Sequence, residues 1–148
     1  MNNDFEDVEI LLVEDNPRDA ELTIRALKRH HLANQLHHVM DGAQALDFLF
    51  GRGKYEGRRT DGSPKVVLLD LKLPKINGLE VLRRMKDDPH LRTIPVVIVT
   101  SSAEDPDMEA AYRLGANSYV VKPVEFDAFM EAMSKLGVYW LLLNHPIK

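Results

Sequence analysis

Three carboxylates, one hydroxyl and one amine in this sequence stand at the ends of apolar runs. Glu14 and Asp15 follow VEILLV, Asp70 follows VVLL, Thr100 closes PVVIVT, and Lys122 follows SYVV. A lone carboxylate inside so apolar a stretch is costly, so Asp70 must be neutralised, surface-placed or paired. Three clustered carboxylates raise one another's pKa. A hard divalent cation resolves that repulsion, and Mg²⁺ or Mn²⁺ takes oxygen ligands, Mg²⁺ keeping several waters. One carboxylate can still attack phosphorus and form an acyl phosphate. The cation would then clamp the phosphoryl oxygens, Lys122 would meet another oxygen as a point charge, and the Thr100 hydroxyl would donate to a third. This set suits positioning and charge neutralisation of a phosphoryl group.

Such a site needs a scaffold that brings distant residues together. Short apolar runs at 8–13, 35–40, 66–70, 95–100 and 118–121 read as strands. Between them lie helical patterns: one opened by Asn16-Pro17, a second capped by Asp41-Gly42 and running through Phe50, then 78–88, 105–114 and 125–136. Five βα units in series predict an α/β fold, a doubly wound five-stranded parallel sheet with helices on both faces. In such a sheet every strand's carboxyl end lies on one edge, where ligands bind. That edge would gather Glu14, Asp15, Asp70, Thr100 and Lys122. Residues 51–64, rich in Gly and charge, read as a long solvated loop that includes Lys54, Arg58 and Arg59.

The composition narrows the classes. The chain has 148 residues, 45% hydrophobic and 28% charged, which suits one domain. A formal charge of −4 gives no reason to expect nucleic acid as a partner. The absence of cysteine excludes disulfide and thiol chemistry. The polar, acidic start MNNDFEDVEI does not resemble a signal peptide, and no apolar run reaches membrane-spanning length, so a cytoplasmic protein without membrane attachment is expected. The adjacent pairs His30-His31 and His37-His38 lack metal-ligand spacing and are expected at the surface.

Four stretches, VEDN (13–16), DLKLPKING (70–78), VTSS (99–102) and YVVKP (119–123), each at a strand end, together resemble the receiver domain of bacterial two-component response regulators. The resemblance covers about 8–137 and implies a single receiver domain over 1–148 with an apolar tail at 138–148. It implies a flavodoxin-like (CheY-like) fold with strand order 2-1-3-4-5. Asp70 would be the phosphoacceptor. Asp15, Asp70 and the Lys72 backbone carbonyl would bind Mg²⁺ or Mn²⁺ directly, and Glu14 would bind it through water. Thr100, Lys122 and Tyr119 would be the switch hydroxyl, the phosphate-pairing lysine and the switch aromatic. A cis bond would precede Pro123. The partner would be a sensor histidine kinase, and the protein a phosphoacceptor switch rather than an enzyme, assisting only its own phosphorylation and dephosphorylation. Departures are Ser101 where many receivers place alanine, and Lys72 and Ser102 at two positions that in the family tune acyl-phosphate lifetime.

The long loop and the tail VYWLLLNHP also resemble small stand-alone regulators paired with bacterial phytochromes, so a phytochrome kinase is a further expectation. The run Tyr139, Trp140, Leu141 and the leucines after it is apolar all round, which one helix face cannot cover. It would either fold back or build a homodimer through the last helix and tail; the dimer is the favoured expectation. Other classes stay open. A phosphatase of the haloacid dehalogenase kind would need DxDxT, where residue 72 is Lys. A flavin carrier would need a phosphate-binding loop where acidic EDNPRD stands. A phosphorylation-independent interaction domain would use the same fold without the chemistry.

Overall fold

In the computed structural model, which describes residues 8–32, 35–58, 60, 63–123 and 125–143, five strands alternate with five helices. They are β1 (Ile10–Val13), α1 (Pro17–Lys28), β2 (Leu36–Val39), α2 (Gly42–Phe50), β3 (Val66–Leu69), α3 (Gly78–Lys86), β4 (Val96–Thr100), α4 (Asp105–Arg113), β5 (Ser118–Val121) and α5 (Phe126–Gly137). The sheet order is β2-β1-β3-β4-β5, with every pairing parallel, as expected from the sequence.

The strands β1, β3 and β4 are buried throughout, yet their residues still alternate between two cores. Leu11, Val13, Val67, Leu69, Val96 and Ile98 pack with α2, α3 and α4 on one face. Ile10, Leu12, Val66, Leu68, Val97 and Val99 pack with α1 and α5 on the other. Both faces being covered explains why these strands read as unbroken apolar runs.

Local chemistry sets the helix starts. The Asn16 side chain accepts the N–H groups of Arg18 and Asp19 (2.9 and 3.1 Å), with Pro17 in the first turn of α1. Asp41 and Asn77 cap α2 and α3 in the same way. Gly78 is required by close approach: a Cβ there would stand 2.2 Å from the Asp70 carbonyl oxygen. The DLKLPKING stretch thus folds α3 hard against the main chain that carries Asp70. Strand β4 begins at Val96 rather than Pro95, which has no N–H for the ladder.

Three expectations need correction. The 51–64 segment is not merely solvated. It contains a 3₁₀ turn, Gly53–Tyr55, whose Tyr55 is buried, and Arg58 is 4% exposed, its guanidinium 4.0 Å above the Phe48 ring and bonded to the Ser63 carbonyl at 3.0 Å. Arg59 and residues 61 and 62 lie outside the described residues, as do 1–7 and 144–148. Nor are His37 and His38 plain surface residues. His37 stacks on Phe48 and shares a 2.8 Å hydrogen bond with the Tyr55 hydroxyl, while His38 Nε2 lies 2.7 Å from the Glu14 carbonyl oxygen. Finally, among the described residues the cis peptide bond joins Ser63 to Pro64, and the bond before Pro123 is not cis. Lys122 is aimed instead by the sheet: its N–H donates to the Thr100 carbonyl at 2.7 Å, prolonging the β4–β5 ladder by one bond.

The segment after α5 continues as a π-helical stretch, Val138–Leu143. Trp140 and Leu141 are half-buried against the α1–α5 core, so this part of the tail folds back on its own chain, while Tyr139 is 51% exposed. No helix among the described residues is long and apolar enough to cross a membrane.

Candidate phosphoryl-transfer site

Register places the acids. Val13 of β1 lies opposite Leu69 of β3, so Glu14 and Asp70 leave the sheet side by side, and the Asp70 N–H donates to the Val13 carbonyl at 3.1 Å. Carboxylate oxygens of Glu14, Asp15 and Asp70 lie within 4.8 Å of one another. Glu14 and Asp70 are buried, whereas Asp15 is partly open to solvent. Two buried carboxylates and a third facing solvent form an all-oxygen donor set that fits a hard divalent cation retaining waters. Among the described residues this is the group of acidic or histidine side chains able to hold a metal; no histidine joins it.

Lys122 sits inside this acidic cluster. Its Nζ lies 2.6 Å from Glu14, 2.9 Å from Asp70 and 3.0 Å from Asp19. The ammonium thus performs part of the neutralisation expected of a cation alone. Asp19 was not among the residues expected at the site. It lies in the first turn of α1, where an acid reads simply as a favourable partner of the helix dipole.

The electrostatics follow from burial and these contacts. Burial raises the Glu14 carboxyl to about 7, aided by the nearby Asp70 charge and opposed by the Lys122 hydrogen bond and the Asn16 N–H. Burial also disfavours the Lys122 charge, but hydrogen bonds to Glu14 and Asp70 outweigh it and raise this amine above its ordinary value.

Asp70 offers its second oxygen to the Lys72 N–H at 3.3 Å, and the Lys72 side chain is exposed. Thr100 is fully buried, its hydroxyl oxygen accepting the Ser102 N–H at 3.4 Å. The Tyr119 hydroxyl donates to the Ser102 carbonyl at 2.9 Å, and its ring, half-buried, tilts against Tyr112. Burial, followed by the Asp107 and Asp70 charges, pushes the Tyr119 phenol up against the effect of that bond. The buried Ser102 hydroxyl donates to Asp107 and accepts the Glu104 N–H. Ser102 therefore links Thr100, Tyr119 and the start of α4. The structure brings together Glu14, Asp15, Asp70 and Lys122, and joins Thr100 to Tyr119 through Ser102.

A sheet of this order with acids at the ends of β1 and β3 and a lysine after β5 defines a class, and comparison with known proteins agrees. Residues 10–134 match the response regulator receiver domain, and the chain belongs to that family. It is a two-component response regulator receiver with a CheY-like fold, related to phytochrome response regulators. Members are typically switches rather than turnover catalysts, bind divalent metal and interact with histidine kinases.

Among its relatives, the probable methanogenesis regulatory protein FilR2 of Methanothrix harundinacea is 42% identical, over 91% of this chain and 84% of that protein. Response regulator Rcp1 of Synechocystis is 37% identical, over 89% of this chain and 88% of its own length. The Mn²⁺-bound crystal form of Rcp1 superposes with a TM-score of 0.87 at 35% identity, over 94% of this chain and 98% of that one. The bacteriophytochrome response regulator AtBRR is 57% identical with a TM-score of 0.70, over 92% of this chain and 96% of its own.

Proposed function

We propose that Asp70 is the phosphoacceptor of this receiver and that Mg²⁺ is the working cation. The observation that carries the reading is the convergence of Asp70 with Glu14, Asp15 and Lys122 at the sheet's carboxyl edge. A carboxylate oxygen of Asp70 attacks the phosphorus of a phosphorylated kinase histidine. A P–O bond forms, the P–N bond breaks, and the imidazole leaves with the electron pair. Asp15 and Asp70, with the Lys72 carbonyl, would hold the cation directly and Glu14 through water; once bound, it would neutralise charge on the phosphoryl oxygens. One N–H of Lys122 turns from Asp70 to a phosphoryl oxygen. Thr100 gives up the Ser102 N–H to donate its hydroxyl to the phosphoryl group, and the change reaches Tyr119 through the Ser102 peptide. Phosphorylation then favours one of two conformations, which is the requirement for a switch.

The formal charge of −4 supports protein contact, rather than nucleic-acid binding, as the output of this receiver. The likeness to AtBRR supports a phytochrome as the kinase. The exposed Tyr139, in the stretch after α5, supports a homodimer through the last helix and tail, with Trp140 and Leu141 bracing it from within each chain.

Phosphate-affinity electrophoresis after incubation with acetyl phosphate and Mg²⁺ tests the acceptor. Wild type gives a retarded band and Asp70→Asn gives none. A band that persists in Asp70→Asn, or no band in wild type at early times, would overturn the assignment.

A further inference from the structure

We propose that Asp19 is a positioning residue for phosphoryl transfer, acting as the anchor that keeps Lys122 in place while Asp70 changes its chemistry. The proposal rests on Asp70 being the phosphoacceptor. An ammonium has three N–H donors, and three carboxylates from three places in the fold surround that of Lys122: Glu14 after β1, Asp19 in α1 and Asp70 after β3. Two of these acceptors have other work. Asp70 loses its carboxylate charge when the P–O bond forms, so its hold on Lys122 weakens at the moment the ammonium is needed. Glu14 faces the same metal cluster. Asp19 lies outside that cluster and takes no part in bond formation.

Asp19 is also well fixed. Its side chain is 14% exposed, its N–H is held by the Asn16 cap at 3.1 Å, and its carbonyl accepts the buried Thr23 hydroxyl at 2.8 Å. Its other carboxylate oxygen lies 3.6 Å from the exposed Arg18 guanidinium. A lysine stem is flexible. Without Asp19 one donor would turn to Glu14 or water, and the ammonium would leave its line to the incoming phosphoryl oxygens.

The test is a double-mutant cycle on the initial rate of phosphorylation by acetyl phosphate with Mg²⁺, using wild type, Asp19→Asn, Lys122→Ala and the double variant. Melting curves establish that each variant is folded. Asp19→Asn should slow phosphorylation about five-fold when Lys122 is present and have no further effect when it is absent. Asp19→Glu should restore part of the rate. The side-chain ¹⁵N resonance of the Lys122 ammonium, protected in wild type, should broaden in Asp19→Asn. An unchanged rate and resonance in Asp19→Asn would overturn the proposal. So would an equal loss in both Lys122 backgrounds, because Asp19 would then act on the cation by charge alone. Failure of folded wild type to become phosphorylated would remove the acceptor reading along with this one. Normal wild-type phosphorylation with an indifferent Asp19→Asn would remove only the role of Asp19.

Discussion

At Lys122 three carboxylate oxygens lie within 3.0 Å of one nitrogen, and the amine and all three partners are largely buried. Removing the amine leaves like charges facing one another with no counterion. Breaking a buried pair in this way typically costs about 3 kcal/mol. Lys122→Ala should therefore be markedly less stable in urea titrations without divalent metal, and millimolar Mg²⁺ should restore much of the difference, because it binds only the folded cluster. Equal recovery of wild type and variant on adding Mg²⁺ would contradict this account. Glu14, Asp15, Asp70 and Lys122 were legible in the sequence because each stands within two residues of the end of an apolar strand. Asp19 was not, because its partner lies 103 residues away and an acid in a helix's first turn has a sufficient local explanation.

The elements show why periodicity succeeds in some places and not in others. Strands β3 and β4 announce themselves by runs of β-branched and leucine residues, whereas the need for glycine at 78 comes from the Asp70 carbonyl, which only the fold brings near. The 51–64 segment has no period, and its described residues are held by tertiary partners: Arg58 on Phe48, Tyr55 against His37, and the Ser63 hydroxyl on the Val8 carbonyl at 2.9 Å. Glycine and charge counts cannot reveal such pairings. The His37 imidazole is held below its ordinary 6.5, first by burial and then by the Lys54, His38 and Arg58 charges. Below 6.5 the unfolded chain gains a proton that the folded one refuses, so this residue's contribution to stability is lost as pH falls. His37→Gln should narrow the loss of urea midpoint between about pH 7.5 and about pH 5.5. An identical loss in the variant would place the acid sensitivity elsewhere.

On the scale of the whole molecule, the order 2-1-3-4-5 puts the proposed phosphoryl site at the carboxyl edge of β1 and β3 while α5 and its extension flank one face of the sheet. Chemistry and the proposed association surface are thus separate, and one can be altered without the other. Tyr139→Arg should shift the sedimentation of a dimer toward monomer at micromolar concentration and leave acetyl-phosphate labelling intact. A dimer undisturbed by that change would move the interface off the tail. The tail was only half legible, because an apolar run shows that something covers it but not what. Trp140 and Leu141 are partly covered by their own chain, and Tyr139 is left outside.

Trp140 is also the sole tryptophan of the sequence. It rests edge to face with Tyr139, 5.1 Å between ring centroids, on the layer formed by α1 and α5. The protein therefore carries a built-in optical gauge. Its emission wavelength will follow the polarity around a single indole, so undocking of the tail will appear as a red shift without any label, and tyrosine-to-tryptophan energy transfer will register the pairing of the two rings. Any undocking of that end of the molecule can thus be followed in real time in a cuvette.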